Sequence, residues 1–111
     1  MLPEIVAAVG GKAEIVLDGG IMRGSDALKA IALGAKAVAI GKLQGWGLAA
    51  AGQAGLVRVL ELLESEITTT MGLLGVTRVN QLHTAHLCKV LPMARTHEMS
   101  AFPHMPGGQL L

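Results

Sequence analysis

Two short apolar runs interrupt a chain whose other apolar residues recur mostly at helical spacing. "AEIVLD" at 13–18 and "KAVAIG" at 36–41 are brief and apolar with little polar alternation, the pattern of strands buried on both faces. Between them, "SDALKAIALG" sets Ala27, Leu28, Ile31 and Ala32 on one helical face, with Ser25 as the expected N-cap and Gly34 as the stop. A strand, a helix and a strand in so short a span predict two parallel strands of one sheet joined by a right-handed crossover.

The flanking segments read as helix. Pro3 suits the first turn of a short helix over "PEIVAAVG", closed by Gly10 and Gly11. From Gly55 to about Leu74, the residues Leu56, Leu60, Leu63, Ile67, Met71 and Leu74 recur three and four apart, which predicts a longer amphipathic helix ended by Gly75. Thr77 is placed to cap one further short helix through "RVNQLHTAHL". Pro92, Pro103, Pro106, Gly107 and Gly108 then mark an extended tail, so the expected division is 1–91 as an α/β unit and 92–111 as tail. No third comparable strand covers the edges of the pair. The expected fold class is therefore α/β, the last part of a larger α/β sheet or barrel. A whole barrel typically takes about 250 residues, against 111 here.

Composition removes several classes of function. With 51% hydrophobic residues the chain needs a packed core and is not a disordered segment. A net charge of +1, without a basic run or basic residues interleaved with aromatics, leaves no electrostatic footprint for nucleic acid. No apolar run approaches the roughly 20 residues that cross a bilayer, and no basic flank precedes the first apolar residues, so a cytoplasmic setting is the expectation. The single cysteine, Cys88, forms no internal disulfide and fits a reducing compartment.

The chemistry concentrates where the runs end. Asp18 closes the first run, Gly19 and Gly20 follow at once, and a helix begins near Ser25. Glycines let a ligand approach the main chain, and a helix start offers free N–H groups with partial positive charge. Gly41 and Lys42 follow the second run. Two adjacent strand ends opening into glycine-bearing loops make a phosphate cradle, with Lys42 supplying charge. The plain alternative is a tight turn at Gly19 and Gly20, a solvated Lys42 and a Ser25 that merely caps; the glycine pair alone does not separate the two.

Other features read more simply. His83, His86 and Cys88 lack a fourth ligand of persuasive spacing and are read as a helix surface with an inert thiol, so no metal site is assigned. Glu61, Glu64 and Glu66 with Arg58 are read as the wet face of the long helix, His97 and His104 as solvated tail residues, and Trp46 as core. Asp26 stands in a first helical turn, where the dipole favours a carboxylate, with its side chain turned away from any phosphate.

The full stretch "LDGGIMRGSDALKAIALGAKAVAIGK" resembles the final strand, helix and strand of FMN-binding (β/α)₈ barrels, a pattern also met in IMP dehydrogenase and glutamate synthase. "LQGWGLAAAGQAGLVRVLELLESEITTTMGLLGVTRVNQL" is similar to the end of the FMN-dependent α-hydroxy acid oxidase and dehydrogenase family, which includes glycolate oxidase, lactate oxidase and mandelate dehydrogenase. The resemblance runs from Leu2 nearly to Leu82, and "SAFP" at 100–103 is similar to the tails of some members.

The resemblance implies the C-terminal portion of a (β/α)₈ TIM barrel, its last two parallel strands with their helices, and FMN as cofactor, contacted by Asp18, Gly19 and Gly20, with its phosphate held by Gly41 and Lys42. Many members carry two basic residues after "DGGI", the first of which contacts the phosphate; Met22 takes its place and only the second, Arg23, remains basic and is assigned to the cofactor site as a compensating charge. Many also have Arg where Lys42 stands, and a lysine offers one mobile charge in place of a planar fork. Both departures predict weaker phosphate holding.

The family's base histidine lies in an upstream "HGGR"-like motif with an arginine for the substrate carboxylate, and the chain contains no such motif. No catalytic residue is assigned. The implied activity is oxidation of small 2-hydroxy acids to 2-oxo acids by a complete enzyme, of which Met1 would open a truncated or split distal piece. Two rivals stand beside it. One is a fragment of another phosphate-binding barrel, such as an IMP dehydrogenase relative. The other is a non-catalytic piece completed by an upstream barrel half or by a second copy.

Overall fold

The computed structural model describes residues 1–90. The elements in order are α1 (Leu2–Val9), β1 (Val16–Asp18), α2 (Gly24–Ala32), β2 (Ala37–Ala39) and α3 (Lys42–Leu74), followed by 3₁₀ turns at Val79–Gln81 and Thr84–His86. The strands pair in parallel, with Val16 opposite Ala37, Leu17 opposite Val38 and Asp18 opposite Ala39. The strand, helix, strand unit expected over 13–41 is present, though each strand is only three residues long.

Helix α2 is the centre of the packing, because its apolar stripe is nearly continuous. Ala27, Leu28, Ala30 and Ala32 are buried along it. Leu28 and Ala32 meet Leu82 in the core, joined by Ile31, Ile67, Met71, Val76 and Leu87. The strands correct an expectation. They were to be buried on both faces, yet Val16 is 61% exposed and Leu17 and Val38 are only half-buried. The described residues supply helical cover on part of the pair only.

The start of α2 differs from the Ser25 cap. Arg23 is the capping residue, with extended backbone, and the Asp26 carboxylate reaches back to accept from the Arg23 N–H at 3.1 Å and the Met22 N–H at 3.3 Å. An acidic residue at the third helical position makes this bond back to the capping residue's N–H readily.

Helix α3 begins 13 residues before the expected Gly55 and is kinked. Ala51 and Gly52 leave helical geometry, Gly52 at φ 58°, where a side chain is strained. The kink folds the first arm back on the second, and Gly47 meets Gly55 so closely that a Cβ on either would strike the other's segment. On the second arm Leu63, Ile67 and Met71 are half-buried, whereas Leu60 is half exposed. Gly75 ends the helix as expected.

The expected helix after Thr77 is replaced by the two 3₁₀ turns. Thr77 does not cap: the Gln81 side-chain oxygen accepts from the Thr77 N–H at 2.8 Å and the Arg78 N–H at 2.9 Å. This closed turn delivers Leu82 to the core. The expected tail at 92–111, with His97, His104 and "SAFP", lies outside the described residues.

Candidate functional site

Parallel pairing brings the ends of β1 and β2 to one rim. The loop after Asp18 and the loop before Lys42 open there into one cleft of about 610 Å³, lined by Asp18, Gly19, Gly20, Met22, Gly41 and Lys42, with Trp46 at its side. That volume is within the roughly 300–1,000 Å³ usual for small-molecule sites. Gly19 and Gly20 hold φ 94° and 75°, a region that side chains rarely enter. A Cβ built at Gly19, Gly20 or Gly41 would meet nothing within 4 Å, so the main chain at all three faces open space.

The chemistry of this rim suits a phosphate-bearing group. Helix α3 starts beside it with Gly41 as N-cap and no side-chain cap. A helix start leaves its first N–H groups without intrahelical partners and carries partial positive charge. The Lys42 side chain is exposed in the same cleft and, among the described residues, makes no ion pair. Asp18 adds an acceptor for hydroxyl groups.

The neighbouring helix start is already filled. Glu66 on α3 accepts from the Gly24 N–H at 2.7 Å and pairs with the Arg23 guanidinium at 3.0 Å. Asp26 bonds the two preceding N–H groups and pairs with Lys29 at 3.2 Å. Partial burial pushes the Asp26 carboxyl up, but the hydrogen bond from Met22, the bond and charge of Lys29 and the bond from Arg23 together hold it below its ordinary 3.8.

Five of the six residues expected to hold the cofactor, Asp18, Gly19, Gly20, Gly41 and Lys42, therefore meet in one cleft. Arg23 does not join them; it lines a separate polar hollow with Ser25, Ser65, Glu66, Thr69 and Thr70. Two residues were missed. Trp46, read as core, is 58% exposed at the cleft. Its signal was the four-residue spacing from Lys42, which shares a helical face once α3 starts at Lys42. Glu66, read as wet face, bridges two elements; the signal was its position beside Ile67 on the packed side of α3. His83 and His86, expected on a helix surface, instead cap and end the 3₁₀ turn Thr84–His86, their ring centroids 4.2 Å apart. No group of three or more His, Cys, Asp or Glu is placed to hold a metal ion among the described residues.

A parallel strand, helix, strand unit with a glycine-lined cleft at the carboxyl ends of its strands is the ligand-binding arrangement of α/β proteins. The sequence narrows the class: residues 1–89 match the model of the FMN-dependent dehydrogenases, and the chain belongs to that family. It is 54% identical over 86 residues to an L-lactate oxidase of Nostoc sp., covering 78% of this chain and 24% of the relative. It is 53% identical over 79 residues to human 2-hydroxyacid oxidase 1, covering 71% and 21%. Crystal structures of mandelate oxidase superpose with TM-score 0.70 at 54% identity, covering 74% of this chain and 25% of theirs. One of these holds a monooxide FMN adduct. FMN is the cofactor of the family. The chain spans about a quarter of the length of these relatives.

Proposed function

We propose that this chain forms the phosphate end of the FMN site in a flavoenzyme that oxidises small 2-hydroxy acids to 2-oxo acids. The observation that carries the reading is the convergence of Asp18, Gly19, Gly20, Gly41 and Lys42 on one cleft. Lys42 and the first N–H groups of α3 neutralise the phosphate, and Gly19 and Gly20 let it approach the main chain. Asp18 accepts hydrogen bonds from the hydroxyls of the chain that links phosphate to ring, and Trp46 walls the cleft. Bound FMN supplies the hydride acceptor. The family match over 1–89 favours this over an IMP dehydrogenase relative. The resemblance to this family implies a base histidine and a carboxylate-binding arginine from an "HGGR"-like motif, which this sequence lacks. The proton-accepting group therefore comes from elsewhere in the complete enzyme.

The exposure of Val16 favours a second part of the proposal, that further barrel strands, supplied by an upstream half or a second copy, cover the pair before turnover occurs. With no described helix long and apolar enough to cross a membrane, the working setting is proposed to be the cytoplasm.

Titration of the chain into FMN, followed by flavin fluorescence, tests the site, with riboflavin as the control lacking phosphate. Saturable binding of FMN well above riboflavin is expected, and Gly41→Asp should abolish the difference. Equal binding of both flavins would sink the phosphate assignment. Turnover of a 2-hydroxy acid by the chain alone would overturn the assignment of the base to a missing segment.

A further inference from the structure

We infer that Glu66 is a positioning residue for the phosphate loop, acting through Arg23 and Gly24, and that Arg23 braces the loop and makes no contact with the ligand. The inference rests on the site proposed above and assigns a role to two residues outside its cleft.

Glu66 spends both carboxylate oxygens on the segment that follows Gly19 and Gly20. One accepts from the Gly24 N–H at 2.7 Å, the other from the Arg23 guanidinium at 3.0 Å, and the partners lie 42 and 43 residues away in sequence. The Glu66 side chain is 33% exposed, so the anion is partly desolvated, which strengthens a charge-assisted bond to a helix start. The two backbones are also locked together: a Cβ on Gly24 would lie 2.7 Å from the Glu66 Cβ and the Ile67 nitrogen and 2.8 Å from the Leu63 oxygen. Gly24 is buried at this crossing.

The segment so fixed leads straight into the cleft. Only Ile21 and Met22 separate Gly20 from Arg23, and Ile21 is 6% exposed. Asp26 holds the Met22 and Arg23 N–H groups from the helix side. The loop is thus pinned at its β1 end by pairing and at its α2 end by Glu66, leaving the two glycines between fixed points. The Arg23 charge, engaged by Glu66 in a separate hollow, steadies the carboxylate.

Amide hydrogen exchange on the full chain without flavin, for the parent, Glu66→Ala and Glu66→Gln, tests the positioning directly. Glu66→Ala should speed exchange across residues 22–24 roughly ten- to a hundredfold, the size of one charged hydrogen bond, with α1 unchanged. Glu66→Gln keeps a carbonyl acceptor for the Gly24 N–H and should restore most of the protection. Unchanged exchange in Glu66→Ala would overturn the inference, as would uniform acceleration, which marks a loss of global stability alone. Should Glu66→Ala fail to fold, Glu66→Asp, one methylene shorter, should give the same local pattern at smaller size. For the second half, Arg23→Met should leave the preference for FMN over riboflavin within about twofold, the size of a screened surface pair. Loss of that preference with exchange unchanged would make Arg23 a phosphate ligand. A chain that binds no flavin would fail the site proposal and leave the exchange result standing.

Discussion

The molecule presents two helix starts near the same rim, and it treats them in opposite ways. At the start of α2 the N–H groups are taken up by the protein's own carboxylates, Glu66 at 2.7 Å on Gly24 and Asp26 at 3.1 Å on Arg23. At the start of α3 no side chain caps the helix, Gly41 is open, and a lysine follows. A phosphate arriving at α2 would have to displace two carboxylates, each repelling it. At α3 it meets a cation and free donors. On the proposed reading, capacity to hold an anion belongs to the start that the sequence leaves unfilled, and the dipole, common to both, does not decide between them.

The largest effect should come from breaking the filled start. Gly24→Val forces side-chain atoms into Glu66, Ile67 and Leu63, two of the three obstructions being backbone, which cannot swing away. A loss of about 3 kcal/mol in unfolding free energy is expected, at the upper end for overpacking, read as a lower midpoint in urea. A variant within 0.5 kcal/mol of the parent, roughly the scatter of neutral surface changes, would mean that the crossing of α2 and α3 is looser than drawn.

Next comes the open start. Lys42→Glu should change stability by less than about 0.5 kcal/mol, because the side chain is exposed, and weaken FMN binding roughly a hundredfold through loss of a charge-assisted contact and gain of repulsion. Riboflavin binding should stay as it was. A stability loss equal to that of Gly24→Val would erase the contrast between the starts. Smaller again is Gly52→Ala, expected to cost about 1 kcal/mol by placing a side chain at φ 58°. That change acts on the arm that carries Lys42 and Trp46 to the cleft.

The same contrast explains what the sequence disclosed. The convergence of Asp18, Gly19, Gly20, Gly41 and Lys42 on one cleft was legible because strand ends, glycines and a basic residue stand next to one another in the chain, and parallel pairing alone brings the two groups to one rim. The filled start was illegible. Ser25 is a good cap by local rules, but the group that satisfies Gly24 is 42 residues away, and no short pattern contains it. The first arm of α3 hid for another reason. Gly45, Gly47, Gly52 and Gly55 weaken helix propensity enough to read as loop, whereas in the fold two of them, Gly47 and Gly55, are what let the arms touch. Trp46 was misread with that arm. The segment after Thr77 had helical spacing, but Gln81 closing a turn and Leu82 entering the core outweigh it. Strand burial was overstated because apolar runs report what a strand needs covered, and the described helices cover only part.

The finest distinction between the two starts is their response to acid. Asp26 is held below 3.8, so its bonds to the start of α2 are stronger in the charged form. A carboxyl depressed by folding contributes stability that is complete above its unfolded value and disappears as pH falls through its folded one. The α2 start should therefore loosen below about pH 4, where the unfolded carboxyl begins to take up protons. Several other carboxylates titrate in that range, so the informative quantity is a difference. Asp26→Asn, compared with the parent by urea unfolding at neutral and at acid pH, should be less stable at neutral pH and converge with it in acid. The gap should be the smallest named here, because Asp26 and Lys29 form a partly exposed pair that water screens. A gap that stays constant down to acid would mean that Asp26 acts through shape and not charge. The electrostatic difference between the filled and the open start would then rest on Glu66 alone.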